Sequence, residues 1–186
     1  MEVKEDLLVI DFDHTLVPFD SFRNYLWLWW PKYPISASFL LCIRVLRLIS
    51  AANFKARFMQ KISGHKSFKQ VNADYASYLI SKIDSSILGN IQQNSFYQSS
   101  TVLLLSASPH AYILEVAALL HMKGQGSFFE KDNAFVHLHG VKKAEYIQRC
   151  YPDTKFNYRY SIGDSKSDLP LLQLFEQYTL LKREAK

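Results

Sequence analysis

The feature that most restricts this chain is a recurring one: a short apolar run that breaks off into acid or hydroxyl side chains. Leu7-Leu8-Val9-Ile10 is followed at once by Asp11-Phe12-Asp13-His14-Thr15. Thr101 to Leu105 runs into Ser106-Ala107-Ser108-Pro109, and Tyr158 to Ile162 runs into Gly163-Asp164. Aliphatic and β-branched runs bounded by polar turns read as strands covered on both faces, as in a parallel sheet. Between them the pattern turns helical. Pro109 is expected at the first position of a helix whose apolar stripe is Ile113, Val116, Ala117 and Leu120. Residues 142–150 and 168–175 suit two more. The alternation predicts an α/β fold: a doubly wound, Rossmann-like parallel sheet.

That rhythm is absent between residues 19 and 98. The block contains no convincing strand and divides into helices at Pro31, Pro34, near Ser50 and at Gly64. It predicts an all-helical cap (19–98) inserted after the first strand, with residues 1–18 and 99–186 as the α/β core. Tyr25 to Trp30 and Ile35 to Ile49 are the most apolar part, but Pro31, Lys32, Pro34, Arg44 and Arg47 interrupt it. About 18 clean apolar residues never accumulate, so no standard membrane span is expected. A hydrophobic share of 48% excludes wholesale disorder. Two cysteines, Cys42 and Cys150, are too few for a disulfide scaffold or a Cys-rich zinc site, and are expected as small buried hydrophobes. The opening residues lack the basic-then-apolar order of a signal peptide, which predicts a cytoplasmic protein.

Charge is divided unevenly. Residues 21–82 hold ten Lys or Arg against Asp74 alone, a local charge of +9, while the rest of the chain is −4. The helical block and the remainder are therefore expected to face different partners, unless the basic surface is simply solvated.

The chemistry follows from position. With 10 Asp in 186 residues, an Asp-x-Asp-x-Thr pattern arises by chance only about 0.01 times, and Gly-Asp-x-x-x-Asp about 0.02 times. In an open parallel sheet the carboxyl ends of the strands share one edge. Asp11, Asp13, Ser106 and Asp164 would all sit just past such ends. Carboxylates gathered there repel one another, and a hard divalent cation such as Mg²⁺ relieves the conflict. The plain alternative is that these acids cap turns and helices, a reading open to Asp168 alongside a role in the site.

The four motifs, in this order, resemble the phosphatase branch of the haloacid dehalogenase superfamily. They are Asp11-Phe12-Asp13-His14-Thr15-Leu16, Ser106 after Leu103-Leu104-Leu105, Lys143 in the segment opened by Gly140, and Gly163-Asp164-Ser165-Lys166-Ser167-Asp168. The helical insertion resembles the phosphoserine phosphatase-like subgroup. The context Tyr160 to Leu172 also resembles C-type phosphatidylglycerophosphate phosphatases.

The resemblance implies a Mg²⁺-dependent phosphomonoester hydrolase. Asp11 would be the nucleophile and Asp13 the acid–base. Ser106 and Lys143 would hold the phosphoryl oxygens. Asp11, the backbone carbonyl of Asp13, Asp164 and Asp168 would hold the metal, Asp168 as ligand or as support for one. Thr15 would brace the first loop. Lys142 and Lys143 compete for the lysine role; counting from Gly140 selects Lys143. Asp20 stands where the phosphoserine enzymes have a glutamate for the substrate amino group, or else caps the helix starting near Ser21. Arg57 is a candidate contact from the cap to substrate phosphate or carboxylate. His14 reads as a variable filler, and His137 and His139 alternate as strand neighbours would.

The Trp-rich, basic cap suits an anionic lipid surface, which extends the substrate class to lipid phosphates and the location to a membrane-associated one; helices packing on one another would give the same composition. No nucleic-acid partner is expected. A phosphoacceptor module of the response-regulator type remains as the alternative, because it too gathers acids, a hydroxyl and a lysine at strand ends.

Overall fold

The computed structural model describes residues 4–181. Strand β1 (Glu5–Ile10) leads into five helices: α1 (Ser21–Trp29), α2 (Pro34–Val45), α3 (Ala51–Ser63), α4 (Phe68–Ile80) and α5 (Ser85–Gln92). Then come β2 (Thr101–Pro109), α6 (His110–Leu119), β3 (Lys123–Phe129), β4 (Phe135–Val136), α7 (Val141–Cys150), β5 (Phe156–Gly163), α8 (Leu169–Leu172) and β6 (Gln177–Leu180).

The six strands form one sheet in the order β4-β3-β2-β1-β5-β6. All neighbours are parallel except the edge pair β3–β4, which is antiparallel. From β1 the chain winds outward through β2 and β3, then crosses back to place β5 on the other side of β1. That reversal is a topological switch point, where the loops leaving adjacent strands diverge and open a crevice. Ile10 is in register with Leu104 on one side and Ile162 on the other, so β1 and β5 finish level while β2 continues past them to Pro109.

The two sides of the sheet show why these runs became strands. Leu8, Ile10, Leu104 and Ile162 face a cluster built with Ile113 and Val116 of α6. Phe22, Tyr25, Phe58, Tyr75 and Leu79 of the helical block belong to that same cluster. Leu7, Val9, Leu103 and Leu105 face the other side, against Ala144 and Ile147 of α7 and Leu171 of α8. Strand side chains alternate, and here both sets are covered, which accounts for the unbroken aliphatic runs Leu7 to Ile10 and Leu103 to Leu105.

The helices divide at the expected breaks. Pro31 lies in a 3-10 turn (Trp30–Lys32), Pro34 begins α2, and Gly64 closes α3. Ser50 caps α3 by accepting the Asn53 N–H at 3.1 Å. Among the described residues no helix is long and apolar enough to cross a membrane.

Several expectations are corrected. Pro109 ends β2 and occupies the N-cap of α6 rather than its first turn. The helix expected over 168–175 shrinks to α8 behind a 3-10 turn (Lys166–Asp168). Asp168 does not cap α8; its side chain folds back and accepts the Ser165 N–H at 3.3 Å. Cys42 and Cys150 are both exposed, Cys42 on the outer side of α2 and Cys150 at the end of α7. His137 and His139 lie beyond the two-residue β4, with rings nearly parallel and 5.6 Å apart.

Candidate active site

Because β1 and β5 finish level, Asp11 and Asp164 emerge side by side. The Asp11 N–H donates to the Ile162 carbonyl at 3.0 Å, which ties the two strand ends together. Asp168 is brought beside them by the turn after β5. A Cβ at Gly163 would lie 3.2 Å from the Asp168 side chain, so a larger residue there would press the carboxylate a few tenths of an ångström aside. Carboxylate oxygens of Asp11, Asp164 and Asp168 lie within 4.8 Å of one another.

Into this cluster α7 sends one cation. Gly140, at φ 59°, turns the chain sharply into α7, and its carbonyl accepts the Lys143 N–H at 3.0 Å. Lys143 Nζ then donates to Asp11 Oδ1 at 2.6 Å and to Asp168 Oδ1 at 2.8 Å, with both partners buried. Lys142, one step round the helix, pairs with Glu145 at the surface instead. The geometry thus separates the two lysines.

Electrostatics reflect the crowding. Burial pushes the Asp11 carboxyl up to about 7, against the pull of Lys143 and with a further push from Asp168. Burial and Asp168 also raise Asp164. For Lys143 burial disfavours the charge, but Asp11 and Asp168 outweigh it and hold the ammonium charged. Three carboxylates against one ammonium leave the cluster net negative, and its donors are all hard oxygens. That donor set fits Mg²⁺.

Thr15 is buried and donates its hydroxyl to Asp11 Oδ2 at 3.0 Å, which fixes the carboxylate. His14 sits between Asp13 and Thr15 at φ 56° and lines the cleft.

Asp13 is held differently. Its Oδ1 accepts the backbone N–H of Ser21 at 2.7 Å. Its Oδ2 accepts the Ser108 hydroxyl and, at 3.3 Å, the Ser106 hydroxyl. Ser21 Oγ lies 3.1 Å from Ser108 Oγ and 2.9 Å from the Tyr112 hydroxyl, while the Tyr75 hydroxyl donates to the Ser21 carbonyl at 2.6 Å. A buried hydroxyl network therefore links Asp13 to α1, α4 and α6. Sequence reasoning did not single out Ser108, Ser21 or Tyr112. The two-residue spacing of Ser106 and Ser108 along one strand was the only available signal for Ser108.

The cleft has a volume of about 260 Å³ and is lined by Asp11, Asp13, His14, Asp20, Lys55, Ala107, His139, Lys143, Asp164, Ser165, Ser167 and Asp168. Ser106 is fully buried and meets Asp13 rather than lining the cleft. Asp20 does two things: it caps α1 by accepting the Arg23 N–H at 3.1 Å, and it lines the cleft. Arg57 is exposed and is not among the lining residues. Lys55, two residues earlier on α3, lines the cleft and donates to the Ala107 carbonyl at 2.9 Å. Burial pushes its ammonium down, while Asp13 and Asp20 pull it back up.

Comparison with known proteins gives the same frame. The family model for haloacid dehalogenase-like hydrolases matches residues 8–173. No curated protein matches the sequence. A Bordetella pertussis Tohama I protein of unknown function superimposes with a TM-score of 0.74 at 13% identity, covering 95% of this chain and 89% of that one. A phosphoserine phosphohydrolase-like protein from Francisella tularensis gives 0.55 at 16% identity over 92% and 82% of the two chains. Phosphoserine phosphatase from T. onnurineus gives 0.53 at 17% identity over 97% and 86%. At these identities the likeness is one of fold.

Proposed function

The chain belongs to the haloacid dehalogenase-like hydrolase family, and from that premise we propose that it is a phosphatase that hydrolyses phosphomonoesters through an aspartyl-phosphate on Asp11. The observation that carries this reading is the buried pairing of Lys143 with Asp11 at 2.6 Å, in a cleft that also presents Asp13. A purely structural acid would have no need of a second carboxylate two residues on, at the same opening.

Asp11 attacks phosphorus as the P–O bond to the leaving alcohol breaks, and Asp13 delivers a proton to the departing oxygen. Water then attacks the acyl phosphate, giving its proton to Asp13. The bond to Asp11 breaks, and the Asp11 carboxylate and inorganic phosphate are regenerated. Lys143 offsets phosphoryl charge beside Asp11, and Ser106 supports the Asp13 carboxylate while its oxygen accepts the Ser108 N–H near the end of β2. Asp11, Asp164 and the Asp13 backbone carbonyl would hold Mg²⁺, with Asp168 as ligand or as the group that steadies Lys143. Bound there, Mg²⁺ supplies charge neutralisation at the phosphoryl oxygens.

The substrate is an anionic phosphomonoester, soluble or at a lipid headgroup. Lys55 and Asp20 are the groups at the cleft opening that would read the part beyond the phosphate. The test is turnover of p-nitrophenyl phosphate with Mg²⁺, followed by a panel of phosphoserine, other phosphorylated metabolites and phospholipid monoesters. Asp11→Asn is expected to abolish turnover. Full activity in that variant overturns the nucleophile assignment. One stoichiometric phosphorylation without turnover would instead favour a phosphoacceptor module.

A further inference from the structure

Helix α2 is apolar on both sides. Ala37 and Leu40 are buried beneath it, while Ile35 (85% exposed), Phe39 (62%), Cys42 and Leu46 (62%) recur at helical spacing along its outer side. Val45 (71%) and Leu48 (70%) extend that stripe at its end. An ordinary surface helix turns polar residues outward, and a run of large apolar side chains this exposed marks an interaction surface.

We infer that the outer face of α2 docks on an anionic lipid bilayer. The charge around it selects that occupant. Exposed Lys32 precedes the helix, exposed Arg47 follows its end, and no acid occurs between Asp20 and Asp74. Apolar side chains can enter the boundary between headgroups and acyl chains while the cations meet lipid phosphates. A second copy of the chain fits less well. A twofold contact on this face would set Arg47 against its own counterpart or, with the helices antiparallel, against the partner's Lys32, with no acid on the face to pair them. A single shallow helix gives reversible, salt-sensitive attachment rather than insertion.

This inference stands apart from the phosphatase reading, because attachment is measured without turnover. The full chain is sedimented with vesicles of phosphatidylcholine alone or with about one third phosphatidylglycerol. At about 0.05 M salt the anionic vesicles are expected to carry down roughly tenfold more protein, a preference that collapses near about 0.5 M. The variant Ile35→Ser/Phe39→Ser/Leu46→Ser is expected to stay in the supernatant. Lys32→Gln/Arg47→Gln should bind several-fold more weakly. All three apolar positions are exposed, so the fold is retained, as unchanged p-nitrophenyl phosphate turnover would verify. No binding at low salt, or undiminished binding by the triple serine variant, overturns the inference. So does a dimer in solution that the triple variant dissolves, because a second copy would then own the face.

Discussion

The backbone N–H of Ser21, the first residue of α1, reaches Asp13 Oδ1 at 2.7 Å. One of the amides a helix start leaves without an internal partner is thus spent on the side chain proposed as acid–base. The same residue touches Ser108, Tyr112 and Tyr75, so the helical block and the cleft are mechanically joined at one serine.

Asp13→Asn keeps the shape of that contact but removes the proton relay. Turnover should fall by about 10²–10⁴ for alkyl phosphates, which need a protonated leaving group. The loss should be smaller for p-nitrophenyl phosphate, whose leaving group departs as an anion. Equal losses on both substrates would remove Asp13 from the leaving-group step.

Lys143→Met strands Asp11 and Asp168 together in a buried place. A loss of about 3–5 kcal/mol is expected in a urea titration without added metal. Lys142→Met, whose partner Glu145 is likewise at the surface, should change stability by less than about 1 kcal/mol. Comparable effects of the two substitutions would contradict the assignment of the lysines.

Mg²⁺ should raise the melting temperature, since a cation bound only by the folded cluster stabilises it. At about 100 times the dissociation constant the gain is about 2.7 kcal/mol, or some 5–11 °C for a chain this long. Asp164→Asn should abolish most of that shift, and EDTA should reverse it and stop turnover. A melting curve indifferent to Mg²⁺ would argue against the site.

Lys55→Met is expected to raise KM several-fold with a smaller effect on kcat, because Lys55 lines the cleft without touching Asp11. Arg57→Met should leave both unchanged. Steady-state kinetics on the best substrate of the panel separates the two.

His137 supplies a pH test. Burial, with Lys55, His139 and Lys143 nearby, lowers its imidazole from 6.5 to about 4. The unfolded chain takes up this proton below about pH 6.5, and the folded chain does not until about pH 4. This group therefore withdraws stability as pH falls through that window and has no effect above it. Asp11, raised to about 7, acts in the opposite sense. The comparison of wild type with His137→Gln isolates the histidine: the variant's urea midpoint should fall less between pH 7 and pH 4.

Asp11 and Asp164 were legible because their places depend on short-range facts, whereas Lys143 was chosen over Lys142 only by counting from Gly140 in the family pattern. An apolar run ends, an acid follows, and parallel strands finish along one edge. Strands β1 and β2 were legible for the same reason, since a strand covered on both faces leaves an uninterrupted aliphatic signature, whereas β3, β4 and β6 lack one and were not read from the sequence. The extent of α8 was not: the helix begins at Leu169, after Asp168 has turned back to Ser165, and stops at Leu172. Nor was the exposure of Cys42, which depends on which side of α2 meets α3.

The amino-acid order alone determined the alternation of strand and helix, the acids at the strand ends and the breaks in the helical block. Only the tertiary structure decided that Lys55 rather than Arg57 lines the cleft, that Ser21 and Ser108 hold Asp13, and that the outer stripe of α2 stays uncovered. Each of those choices is a rotation of a helix about its axis, or a meeting of segments far apart in the chain. Local periodicity names the faces of an element, but long-range packing alone selects which face is turned inward.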